Sequence, residues 1–156
     1  MKYFRRALVL ALALSTVPSM APAMDTGEPL AKKESASMVA GRKAVEAKDF
    51  KSAVGHFTKG VNTEPKNADA YSMLGYSYRK TGTFDKSLEF YQKALKLDAH
   101  HRGAREYLGE LYLDMNQPDN AEKQLAALKK DCSFLNKCEE YEDLKKAVDA
   151  YKAKKK

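Results

Sequence analysis

The sequence predicts an all-α protein, three helical hairpins stacked in a row and closed by a C-terminal capping helix. Three observations carry that prediction. Small and aromatic residues recur at a 34-residue interval through the middle of the chain, turn-forming residues separate segments of helical period, and the last amphipathic segment departs from the interval. The interval is clearest around 68–101. A shift of 34 residues carries Gly75 onto Gly41 and Gly109, Ser87 onto Ala53 and Ala121, Phe84 onto Phe50 and Pro118, and Tyr91 onto Phe57 and Leu125.

The chain of 156 residues begins with a segment of different character. Lys2, Arg5 and Arg6 precede an apolar stretch over 7–17, and Ala21-Pro22-Ala23 supplies small residues of the kind a signal peptidase accepts. We read 1–23 as a removable signal peptide, because the apolar stretch is short of the ~20 residues a spanning helix needs. No stable membrane insertion is expected once it is removed. Residues 24–33, with Gly27 and Pro29, form a flexible lead-in.

The helices follow in pairs. The first pair is expected at 35–47 and 50–63, where Asp49 is placed to accept backbone N–H bonds and Pro65 prevents continuation. The second is expected at 68–81 and 84–97, with Gly82 in the turn and Thr83 placed to cap. The third is expected at 102–115 and 118–130. Pro118 starts its second helix at a position whose N–H needs no intrahelical partner. Within helices, Gly41, Gly75 and Gly109 each cost about 1 kcal/mol relative to alanine. The expected compensation is close approach of paired helices, with Ala53, Ser87 and Ala121 facing them and Phe57, Tyr91 and Leu125 filling the space between neighbours. The last helix, about 139–153, carries Tyr141, Leu144, Val148 and Tyr151 on one face, enough to cover the apolar end of a stacked array.

The spacing of Tyr71, Leu74, Gly75 and Tyr78, then Ser87 and Tyr91, resembles that of the tetratricopeptide repeat (TPR) family, whose unit has this length. The resemblance covers about 34–135, in units 34–67, 68–101 and 102–135, leaving 136–156 as capping helix and basic tail. It departs from the family pattern at Ser37, Ala40, Ala99 and Arg105. It implies a right-handed TPR solenoid whose first helices line a concave groove. By that resemblance the groove positions hold Ser35, Met38, Arg42, Val45 and Glu46 in the first unit. Asp69, Ser72, Tyr76, Arg79 and Lys80 hold them in the second, and Gly103, Glu106, Glu110, Leu113 and Asp114 in the third. Tyr76 at the centre is the residue type enriched at binding hot spots. The family's carboxylate clamp is not carried over, because Arg42, Tyr76 and Glu110 stand where its polar residues are needed.

Other chemistry finds little support. Cys132 and Cys138 are the two cysteines, and in an exported chain an even count reads as a disulfide contributing roughly 2–3 kcal/mol. His56, His100 and His101 are not in a metal-binding spacing, and no nucleophile and base form a set. No cofactor and no enzyme activity are expected. Removing 1–23 takes three basic residues from a net charge of +7, leaving +4, and the tail lysines 152, 154, 155 and 156 hold much of the excess. Nucleic acid is therefore not an expected partner.

The sequence thus points to a non-enzymatic adaptor in the bacterial periplasm, or secreted beyond it, binding a peptide or helix of another envelope protein. Two alternatives stand beside it: a scaffold that self-associates through its weak first repeat, and an accessory protein carrying a metal or ligand at His100 and His101.

Overall fold

A computed structural model describes residues 34–134 and 137–155. The expected signal peptide and lead-in lie outside the described residues. Among the described residues there are seven helices and no strand. They are α1 (Ala36–Glu46), α2 (Phe50–Thr63), α3 (Ala68–Lys80), α4 (Phe84–Leu97), α5 (Arg102–Asp114), α6 (Pro118–Asp131) and α7 (Glu139–Ala153). No described helix is long and apolar enough to cross a membrane.

The hairpin turns repeat in backbone conformation as well as in position. Lys48, Gly82 and Asn116, spaced at the repeat interval, have φ of 58°, 76° and 57°, the left-handed region. The N–H of Lys48, Gly82 and Asn116 reaches back to the carbonyls of Val45, Arg79 and Leu113, and the next N–H in each turn reaches Ala44, Tyr78 and Tyr112. This is the Schellman pattern, which satisfies carbonyls that a helix end leaves free.

Helix starts are capped by different means. Asp49 Oδ1 accepts from the Ser52 N–H at 3.0 Å, as its place before α2 predicts. Asn67 Oδ1 accepts from Ala70 N–H at 3.1 Å, and His101 Nδ1 accepts from Ala104 N–H at 3.2 Å. Thr83 corrects an expectation: its side chain makes no cap bond to α4, and its hydroxyl lies 3.4 Å from that of Thr81. Pro118 occupies the first turn of α6.

Each α-hairpin closes on its glycine. A Cβ at Gly41 would lie 2.5 Å from the Phe57 ring, and one at Gly75 would lie 2.8 Å from the Tyr91 ring and 3.2 Å from the Ser87 carbonyl oxygen. The Ser87 hydroxyl donates to the Gly75 carbonyl at 2.8 Å within the core. The third unit differs from expectation. Gly109 faces Leu144 of α7, whose Cδ2 would lie 2.5 Å from an added Cβ, while Leu125 of α6 is only half-buried. A leucine is shorter than the rings of Phe57 and Tyr91, and the capping helix supplies the missing volume. Leu144 and Val148 are buried with Leu113, Ala121 and Leu128. The Cys132–Cys138 disulfide joins the end of α6 to the start of α7.

Candidate functional site

Helices α3 and α5, with the start of α2, bring a run of aromatic rings together. Tyr76 of α3 stands with its ring centroid 5.0 Å from that of Tyr107 on α5 and 6.1 Å, edge-on, from that of Phe50 at the start of α2. Tyr107 in turn lies 6.4 Å from the wholly buried Tyr91. The Lys80 ammonium sits over both Tyr76 and Phe50, 5.6 Å and 5.9 Å from the centroids. Such a cation over a ring face is held by the ring quadrupole. Tyr76 and Tyr107 remain half-buried, so part of each ring faces outward.

Charged groups flank the rings unequally. Arg79, with only 12% of its side chain exposed, pairs with Glu110 and, at 2.6 Å, with Asp114. Both partners lie on α5, so this pair ties adjacent repeats together. Arg42 pairs with Glu34 at 2.7 Å. Asp69 meets His101 Nε2 at 3.1 Å, and that hydrogen bond holds the Asp69 carboxyl below the usual range. Beyond Arg79, Glu110 and Asp114, a cleft of about 280 Å³ continues to Ala147, Ala150 and Tyr151 of α7.

Glu106 stands apart. No hydrogen bond or ion pair engages its carboxyl among the described residues. Burial, then the negative fields of Glu110, Asp143 and Glu140, push its pKa up to about 8, with only Arg79 acting in the opposite direction. The Tyr107 phenol beside it is pushed up to about 12, chiefly by burial and next by Glu106.

The expected groove residues divide accordingly. Tyr76, Arg79, Glu106, Glu110 and Asp114 gather around α3 and α5, and Arg42 on α1 is within electrostatic reach of Tyr107. Met38 and Ser72 correct the sequence reading. Met38 is 1% exposed and packs with Phe57, Ala70 and Leu74, its sulfur 3.3 Å from where a Gly60 Cβ would lie. Ser72 is 2% exposed. Neither offers a surface for contact, because at these places the helices approach too closely. Leu113 is likewise in the core. Of the two histidines between the second and third units, His100 is exposed in the turn with its Nδ1 2.8 Å from Asp131 of α6, and His101 is largely covered and caps α5. Among the described residues no group of three or more His, Cys, Asp or Glu side chains is arranged to hold a metal ion.

Four residues of this cluster were not expected there from sequence: Phe50, Tyr107, Glu140 and Asp143. Tyr107 neighbours Glu106 in the chain, and its aromatic character was the available signal. Glu140 and Asp143 belong to α7, outside the repeat, and no periodic argument reaches them.

Comparison with known proteins agrees with this architecture. The SPINDLY UDP-N-acetylglucosamine–peptide N-acetylglucosaminyltransferase of Hordeum vulgare is 31% identical over 86 residues, which is 50% of this chain and 9% of that protein. The chain thus spans less than a tenth of that relative's length. The TPR2B domain of yeast Sti1, solved as a complex with an Hsp70 peptide, superposes with a TM-score of 0.70 at 16% identity, covering 76% of this chain and 94% of that one. The type III secretion chaperone SycD of Yersinia enterocolitica, solved with a peptide of the translocator YopD, gives 0.65 at 17% identity, over 77% and 92% of the two chains. Residues 46–128, more than half of the chain, match the family described as anaphase-promoting complex, cyclosome, subunit 3, and the chain belongs to that family of tetratricopeptide repeats.

Proposed function

We propose that this protein is a non-enzymatic adaptor of the bacterial cell envelope, holding an extended segment or helix of another envelope protein against the α1, α3 and α5 face. One observation carries the reading: the Tyr76 and Tyr107 rings lie 5.0 Å apart, tilted against each other, with part of each open, giving a large, stiff contact surface at small entropic cost. Two structures of the same architecture, those of Sti1 and SycD, hold peptides, which favours a peptide-binding role. The envelope location rests on the basic, apolar and small-residue order of 1–23. Arg79 is paired within the chain to Glu110 and Asp114. Arg79 acts as a brace between repeats, and the rings are the primary contact.

The test is site-specific photocrosslinking in the envelope fraction, with the photoreactive residue at Tyr76 and, as control, at the exposed Glu89 of α4. A protein captured from Tyr76 and absent from Glu89 is the expected result. Tyr76→Ala should then weaken binding of that protein about tenfold while leaving the helical circular dichroism intact. Equal capture at the two positions, or unchanged affinity of the variant, rejects this face.

A further inference from the structure

With the groove taken as the adaptor's docking face, its walls specify the chemistry of what docks. Of the basic groups near the rings, Arg42 pairs with Glu34 and Arg79 with Glu110 and Asp114, while the exposed Lys80 lies over Tyr76 and Phe50, on the side of the rings away from α5. Glu106 has no counter-ion, and the charges around it are mainly of its own sign. Glu110 on α5 and Glu140 and Asp143 on α7 raise its pKa, and from α3 only Arg79 lowers it, its charge shared between two other carboxylates. A half-buried carboxylate without a cation is unfavourable, and the shortage is relieved when a cation arrives from outside.

A second observation is independent of that cluster. The wholly buried Tyr91 hydroxyl makes no hydrogen bond of ordinary geometry, and the nearby Ser87 hydroxyl donates its own proton to the Gly75 carbonyl. Tyr91 lies beneath the groove, its ring centroid 6.4 Å from that of Tyr107 and within electrostatic reach of Arg79 and Glu110. Buried hydroxyls are ordinarily satisfied, so the floor is polar and under-bonded as well as acidic. The roof is aromatic, through Tyr76 and Tyr107.

We propose that the groove takes a basic peptide segment, in which a lysine or arginine side chain sits against Glu106 and an adjacent apolar side chain lies across Tyr76 and Tyr107. An acidic segment meets Glu106 and Asp143, beside Glu110 and Glu140 whose charges Arg79 and Arg102 offset, and is disfavoured. A purely apolar segment leaves Glu106 protonated, gains no ion pair there and binds more weakly.

Selection from a random dodecapeptide phage library on the full chain, on Glu106→Gln and on Tyr76→Ala tests this directly. The expected result on the unaltered protein is enrichment of sequences pairing Lys or Arg with an apolar neighbour, lost on both variants. A synthetic peptide of the enriched sequence should bind Glu106→Gln about tenfold more weakly. Its affinity for the unaltered protein should rise as pH increases from about 6 to 8, since Glu106 must give up its proton to pair, and this rise should be absent in Glu106→Gln. Enriched sequences without a basic residue, or retained by Glu106→Gln and lost only on Tyr76→Ala, would overturn the basic-peptide assignment and leave the groove as docking face. Sequences retained by both variants, or no enrichment at all, would overturn both. A chain that dimerises in sedimentation while Glu106→Gln stays monomeric would give the groove to a second copy instead.

Discussion

Two helical glycines separate the cost of close packing from the cost of glycine itself. Gly55 lies on the exposed face of α2, and a Cβ built there meets nothing within 4 Å. Gly55→Ala should therefore show only the helix-propensity gain, about 0.5–1 kcal/mol. At Gly75 the same gain is set against a Cβ 2.8 and 2.9 Å from the ring of Tyr91 and 3.2 Å from the Ser87 carbonyl oxygen. The ring is wholly buried, and the carbonyl is backbone, so neither yields easily. Overpacking of this kind costs about 1–3 kcal/mol, for a net loss of roughly 1–2 kcal/mol. The two alanine variants should thus differ by about 2 kcal/mol, a separation of roughly 6–10 °C in Tm for a domain of this size. Thermal melts followed by circular dichroism, checked by urea unfolding with an unchanged m-value, measure it. If Gly75→Ala melts with or above Gly55→Ala, the glycine is not there to admit Tyr91, and close approach of the ring does not explain how the hairpin packs.

Three further outcomes follow from the same geometry. Lys48 holds a left-handed conformation that glycine occupies at the matching turn, so Lys48→Gly should stabilise by about 0.5–1 kcal/mol in urea unfolding. Leu144→Ala should lose about 2–5 kcal/mol, since the side chain is wholly buried against Gly109, and Leu125→Ala markedly less; equal losses would place the third-unit core in α6 after all. Folded Glu106 keeps its proton to about pH 8 against 4.5 for a free glutamate, so the native state binds the extra proton between these values. Stability should be greatest at the acid end of that window and decline as pH rises through it. The decline, reduced by solvent screening to about 1–2 kcal/mol, should vanish in Glu106→Gln, as paired denaturant titrations across the window would show.

The fold was legible because its signals are local and repeat. Gly82 announces its turn, Asp49 its cap, and the interval relating Gly41, Gly75 and Gly109 carries those assignments along the chain. Where one unit lacks a local signal, as at Lys48, the interval still locates the turn. The groove was less legible, because it depends on how far neighbouring helices interpenetrate. Met38 and Ser72 occupy the same numbered place in their units as Glu106, yet they are buried while Glu106 stays half-open. Side-chain size and the offset between helices decide that, and neither is periodic. Arg79 has no partner legible in its own helix, because Glu110 and Asp114, which hold it, lie about a full repeat further on. Glu140 and Asp143 come from outside the repeat, so only the docking of α7 brings their charge to bear on Glu106.

The aromatic run through Phe50, Tyr76 and Tyr107 also has an optical consequence. The chain has nine tyrosines and no tryptophan. Two of those phenols lie side by side in the groove, so a bound segment bearing a single tryptophan would be the one indole in the complex and a natural acceptor of their excitation. Excitation at the red edge of protein absorption would report the ligand alone, while the loss of tyrosine emission on binding would report transfer to it summed over the chain's tyrosines, with Tyr76 and Tyr107 the nearest donors for a segment in the groove. Occupancy of the groove is readable in an unlabelled cuvette.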